Sequence, residues 1–311
     1  MKKKILKAII GMLLIIIVIS LIIIAYYMIV DIETKTPSGI ELTYNVETEK
    51  FMGRKIFIVT PNKVQKSNKV ILYFHGGSYV AEATTEHWNF IEKLVNDTGD
   101  TVILPDYPLT PKYSYKDVFE MMIPFYKEII QKIDTENLIV MGDSAGGGLA
   151  LALEERLGED NVSMPEKTIL ISPWLDVRLN NEKINEVQKY DTELNKETLK
   201  LAGIAYASDD GIDSYLVNPI DGDLSKLKNV TILTGTYDIL NPDVHVIKER
   251  AEKRNIKIDV REYEGAKHIW LIENNSSEEL IEKGYKDLLD ILKWKEDRWK
   301  VWKKICWIGE G

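Results

Sequence analysis

Cysteine is almost missing from this chain. Of 311 residues only Cys306, near the end, is one, so no disulfide can close within the chain and cysteine usage says nothing about redox compartment. The histidines are His75, His87, His245 and His268, and none has a Cys pair beside it. That is not the ligand set of a structural zinc site, and no metal is expected. A surplus of positive charge is missing too. Lys and Arg number 40 against 49 Asp and Glu, a formal net charge of −9. The basic residues gather at the ends: Lys2, Lys3, Lys4 and Lys7 come before any acid, and residues 292–311 are rich in Lys and Arg. The body between is therefore more acidic than the whole. Phosphates need a basic face, so nucleic acid is excluded as a partner, and the plain reading of the acidity is solubility. Internal repeats and low-complexity linkers are also lacking in the body.

One long apolar run is present. Residues 8–30 carry no charge. As a helix they would reach about 34 Å, enough for a hydrocarbon core of about 30 Å. Tyr26 and Tyr27 lie near the far end, where aromatic rings favour the interface, and the preceding lysines place the N-terminus inside. A cleaved signal peptide would have a shorter apolar core and a small-x-small site, whereas this run continues into Tyr26, Tyr27, Met28, Ile29 and Val30. The expectation is a single-pass membrane protein with an anchor at 1–30, a juxtamembrane linker at 31–39 and an extracytoplasmic domain at 40–292. A tail at 293–311 follows, where Trp294, Trp299, Trp302 and Trp307 stand among basic residues. That composition suits a membrane interface, or equally an extension of the last helix with its tryptophans packed on the domain.

In the body, apolar β-rich runs alternate with helical stretches. Candidate strands are 40–46, 55–60, 69–74, 101–105, 137–141, 167–171, 229–234 and 257–263; candidate helices are 85–97, 115–133, 145–157, 242–255 and 278–293. VILYF, TVILP, NLIVM and TILIS are apolar on both faces, as strands buried between helix layers are. The alternation predicts a three-layer α/β/α sandwich around a mostly parallel eight-stranded sheet. The first two strands, joined by a short connection, suit an antiparallel hairpin at one edge. Residues 176–218 break the pattern and read as a cap-like insertion with one helix near 196–207.

Gly142-Asp143-Ser144-Ala145-Gly146 fits G-x-S-x-G, directly after one predicted strand and directly before a helix. That context presents Ser144 on a tight turn at the carboxyl end of the sheet, with the Ala145 N–H and the helix N-terminus aimed at a developing oxyanion. A second donor should come from the loop after an earlier strand, and His75-Gly76-Gly77-Ser78 follows the strand at 69–74. Gly76 and Gly77 are the candidates, with His75 bracing the loop. A serine hydroxyl needs a base. His268, in Gly265-Ala266-Lys267-His268 after the last strand, is on a loop that a general base can use; His87 and His245 fall in predicted helices. Asp238, just past the strand at 229–234, is the candidate acid, with Asp243 as its rival in the next helix. The chain order Ser144, Asp238, His268 is that of α/β-hydrolases.

HGGSYV (75–80), PDYPLTPKYSY (105–115), GDSAGGGLA (142–150), ISPWLD (171–176), TGTYDIL (234–240) and GAKHIW (265–270) together resemble the hormone-sensitive-lipase-like group of α/β-hydrolases. The resemblance covers roughly residues 55–292. It implies Ser144 as nucleophile, His268 as base, Asp238 as acid, and the Gly76, Gly77 and Ala145 N–H groups as oxyanion hole. It also implies a small-molecule ester substrate of short to medium acyl chain, acetyl included, with no cofactor. Ser78 stands where the group has a third glycine, and the group's N-terminal cap helices have no counterpart. An amidase or peptidase on the same fold remains an alternative, as does a non-catalytic binding module, which would be expected to have lost a triad position.

Overall fold

The computed structural model describes residues 9–20, 26, 30–37, 44–62 and 67–306, with side chains of the last helix described to residue 292. Eight strands form one sheet: β1 (Tyr44–Phe51), β2 (Arg54–Pro61), β3 (Val70–Phe74), β4 (Thr101–Pro105), β5 (Leu138–Asp143), β6 (Lys167–Ile171), β7 (Val230–Tyr237) and β8 (Ile258–Lys267). Their order is β1-β2-β4-β3-β5-β6-β7-β8. β2 runs antiparallel to both β1 and β4, and every pair from β4 to β8 is parallel. The first strand is described from Tyr44 on, and residues 40–43 of the expected run lie outside the described residues. Its second half, with Glu47, Glu49 and Lys50, is exposed, and charged side chains on an edge strand hide it from a hydrophobicity reading while blocking edge pairing.

The parallel strands are buried on both faces because side chains alternate across a strand. In β3, Leu72 and Phe74 enter one core while Ile71 and Tyr73 enter the other; in β5, Leu138 and Val140 oppose Ile139 and Met141 in the same way. Helix α1 (Thr85–Thr98) covers the second face with Trp88, Ile91 and Leu94. Helices α2 (Tyr115–Lys132) and α3 (Ser144–Glu159) cover the first with Val118, Met122, Leu149 and Leu153. The insertion carries α4 (Lys183–Val187) and α5 (Lys196–Ala207). After β7 come α6 (Asn241–Lys253), the short α7 (Trp270–Glu273) and α8 (Glu278–Cys306). Burying each large side chain of these cores contributes about 1.5–3 kcal/mol, which makes the sheet a rigid frame for whatever its carboxyl edge presents.

The membrane expectation is corrected here. Among the described residues no helix is long and apolar enough to cross a membrane. Of the expected span, residues 9–20, 26 and 30 are described. A single-pass anchor with the domain outside is therefore not supported; residues 1–8, 21–25 and 27–29 of the expected span lie outside the described residues. The segment expected as a linker is held on the domain where it is described. Asp31 accepts from Arg54 Nη1 (2.5 Å), Lys112 Nζ (3.0 Å) and the Tyr113 hydroxyl (2.7 Å), and the Thr34 N–H donates to Asp106 Oδ1 at 2.8 Å. At the other end α8 runs on to Cys306, and the side chains of the tryptophan-rich tail lie outside the described set.

Candidate active site

Ser144 is the first residue of α3, immediately after β5. Its φ is +49°, a left-handed conformation that costs an L-residue of this kind about 1–3 kcal/mol. The turn is tight because the flanking glycines leave no room: a Cβ on Gly146 would run into the Phe74 and His75 carbonyl oxygens, and one on Gly142 into the backbone of Gly146. Asp143 precedes α3 but gives it no side-chain cap, so the first N–H groups of the helix, Ala145 among them, stay open at the sheet's carboxyl edge.

The candidate acid and base arrive from two other strands. Asp238 follows β7 and His268 follows β8. The His268 Nδ1–H donates to Asp238 Oδ2 at 2.9 Å, and Ser144 Oγ–H donates to His268 Nε2 at 2.9 Å. The directions are fixed chemically, since a carboxylate only accepts and Nδ1 must therefore carry the proton. All three residues are buried. Burial by itself would push the His268 imidazole down; the Asp238 carboxylate outweighs it and holds the group above its ordinary value. Asp238 Oδ1 is occupied by the Leu240 N–H at 2.9 Å. The base loop is pinned as well: the Ile269 N–H donates to Ser172 Oγ at 3.2 Å, and Asn275 Nδ2 donates to the His268 carbonyl at 3.1 Å.

The rival residues are elsewhere. Asp243 lies in α6 and accepts from Asn181 Nδ2 at 2.9 Å, its carboxyl pushed up to about 6 by burial. His245 sits on the same helix, half exposed against Glu262 at 2.7 Å.

The loop after β3 differs from expectation in one respect. The Gly76 N–H donates to Asp143 Oδ1 at 3.0 Å, so it is committed to a protein partner and not free for a substrate oxygen. Among the described residues, Gly77 and Ser78 have no such partner for their N–H groups. Asp143 also accepts from the Tyr73 hydroxyl on Oδ1 (2.6 Å) and from His87 Nε2 on Oδ2 (3.3 Å). His87 Nδ1 in turn accepts from the Thr84 N–H at 3.1 Å, which leaves Nε2 as the protonated nitrogen. Burial would raise the Asp143 carboxyl; His87 and the Tyr73 hydroxyl outweigh it and hold it below the usual range. Sequence reasoning passed over Asp143 and His87, because hydrogen-bond direction at a turn has no residue signature.

His75 is enclosed in this same loop. Its Nδ1–H donates to the Gly76 carbonyl at 2.7 Å, and its ring stacks on Tyr107 with centroids 4.5 Å apart. Burial first, and then His87, pull it down to about 4, so it is neutral near pH 7. The Tyr107 hydroxyl donates to the His75 carbonyl at 2.7 Å, which ties the PDYPLTP segment to the glycine loop. Among the described residues no group of His, Cys, Asp and Glu is arranged to hold a metal ion.

The chain has counterparts among known proteins. The family model for the alpha/beta hydrolase fold matches residues 71–272. An esterase of Acinetobacter venetianus is 33% identical over 207 residues, covering 65% of this chain and 68% of that protein. An acetyl-hydrolase of Streptomyces hygroscopicus is 25% identical over 209 residues, covering 66% of this chain and 69% of its own. The crystal structure of an esterase from the bacterial hormone-sensitive lipase family superposes with a TM-score of 0.72 at 22% identity, over 80% of this chain and 83% of that one, a likeness of fold. The chain belongs to the α/β-hydrolase fold family, among its hormone-sensitive-lipase-like carboxylic ester hydrolases.

Proposed function

We propose that the chain is a serine carboxylesterase that cleaves short- to medium-chain carboxylic esters, acetyl esters among them, through an acyl-enzyme on Ser144. The observation that carries the reading is the unbroken relay from Ser144 Oγ through His268 to Asp238, with both hydrogen bonds at 2.9 Å. Ser144 Oγ attacks the ester carbonyl as His268 Nε2 takes its proton. Asp238 stabilises the imidazolium that forms. The carbonyl oxygen, now carrying the negative charge, is held by the Gly77 and Ala145 N–H groups. Gly76 acts one step back, tying the loop to Asp143. The imidazolium returns its proton to the leaving alkoxide, the C–O bond breaks, and water repeats the sequence on the acyl-enzyme to release the acid.

The short end of the acyl range is supported by one relative above, an acetyl-hydrolase. The test is Ser144→Ala against p-nitrophenyl acetate and butyrate. Hydrolysis should fall by about a million-fold with folding intact. Activity retained within tenfold would overturn the mechanism.

A further inference from the structure

We propose that the cap turn at residues 190–193 is a clasp that keeps the acid and base loops in register, with Asp191 as its positioning residue. The inference rests on the serine mechanism above and deepens it. Three residues of this turn reach the immediate neighbours of the triad. The Tyr190 ring stacks on Tyr237, the residue before the acid, with centroids 5.0 Å apart and planes 12° from parallel. Asp191 Oδ2 accepts the N–H of Ile239, the residue after the acid, at 2.9 Å. Glu193 Oε1 lies 3.5 Å from Nζ of Lys267, the residue before the base. The other Asp191 oxygen closes the turn on itself, accepting the Glu193 and Leu194 N–H groups at 2.9 and 2.8 Å.

The choice of a carboxylate here needs a reason. Asp191 is 7% exposed, and it lies near Asp238, a second negative charge whose field works against it. Burial raises its carboxyl while three backbone N–H groups oppose that rise. A neutral acceptor could satisfy the Ile239 N–H without facing another carboxylate. What a charged group adds is a field on the imidazole: Asp191 acts with Asp238 in favouring the cationic form of His268, the form that develops in the transition state. The charged groups facing Asp191 are Asp238 and His268 of the site; Glu193 of its own turn is paired with Lys267 at the end of β8. The backbone of the acid loop is thus shared between two carboxylates, with the Leu240 N–H on Asp238 and the Ile239 N–H on Asp191. One anchor comes from within the loop and the other from the cap.

The experiment uses the full chain with Asp191→Ala, Asp191→Asn and Ser144→Ala, assayed on p-nitrophenyl acetate with unfolding followed in parallel. Asp191→Ala should lower kcat by roughly 10- to 100-fold with KM within about threefold, the pattern of a misplaced reacting group. Asp191→Asn keeps the size of the side chain and removes the charge, so the acid limb of its kcat/KM profile should move to lower pH. Wild-type kcat in Asp191→Ala, or an unmoved acid limb in Asp191→Asn, overturns the proposal. So does a loss of rate that merely follows the folded fraction. Where Asp191→Ala does not fold, the Asp191→Asn profile decides alone. An active Ser144→Ala sinks the serine mechanism itself, whereas an inert Ser144→Ala beside an unperturbed Asp191 series sinks only the clasp.

Discussion

Asp143→Asn separates what the aspartate beside Ser144 does for folding from what it does for rate. Oδ1 receives two donors, the Tyr73 hydroxyl at 2.6 Å and the Gly76 N–H at 3.0 Å, while Oδ2 receives His87 Nε2 at 3.3 Å. An asparagine carbonyl can take the Oδ1 position and keep both donors, Gly76 included. Its amide must then stand at Oδ2 and face a nitrogen that carries a proton, because His87 Nδ1 is held as an acceptor by the Thr84 N–H. The substitution therefore removes one charge-assisted hydrogen bond in a fully buried place and leaves two donors opposed, a loss of about 1.5–3 kcal/mol. The glycine loop stays tied, so kcat on p-nitrophenyl acetate should remain within about fivefold, well under the 10²–10³-fold of a lost oxyanion donor. Asp143→Ala, which frees Gly76 as well, should fall into that larger range. Urea unfolding and steady-state kinetics on both variants check this. An asparagine variant of unchanged stability whose kcat has dropped by about a hundredfold or more would refute the division of labour between the two oxygens.

Other outcomes follow from buried carboxyls and from the base. Glu154 is fully buried in α3, with one donor, Thr168 Oγ1 at 2.5 Å, and its carboxyl is pushed up to about 8 by burial. A raised carboxyl is protonated in the fold, so its stabilising share is full below about pH 4.5 and drains at about 1.4 kcal/mol per unit as pH rises toward 8. Glu154→Gln should match the wild type in urea unfolding at pH 4.5 and exceed it by a few kcal/mol at pH 8; parallel curves would contradict this. Because Asp238 holds His268 above 6.5, the acid limb of kcat/KM should lie above that pH in the wild type. Asp238→Asn should lower kcat by about 10⁴ and let burial pull the limb down, and an unmoved limb would count against the pairing.

The sheet and the Ser–Asp–His order were legible because each rests on local pattern. Runs such as VILYF and TVILP are strands buried on both faces whatever their neighbours, and Ser144 between glycines at a strand–helix junction has one workable geometry. What was not legible depends on direction or on distant partners. That the Gly76 N–H turns back to Asp143 is a property of backbone orientation, and the sequence reading counted it among the free donors. His87 was set aside as an ordinary helical residue, yet its ring reaches Asp143, 56 positions along the chain. Asp191 sits in a polar insertion where no periodicity marks it. The apolar run at 8–30 satisfied a length criterion on composition alone, and among the described residues no helix is long and apolar enough for the crossing that composition suggested.

Ser144 holds its hydroxyl out on a backbone that an L-residue adopts reluctantly, at φ +49°. Stability and chemistry therefore compete at a single atom pair, the Cα–Cβ bond of residue 144. Glycine there would sit at ease and should melt a few degrees higher while turning nothing over. A side chain held at this turn against the preference of its backbone points to a use for the hydroxyl.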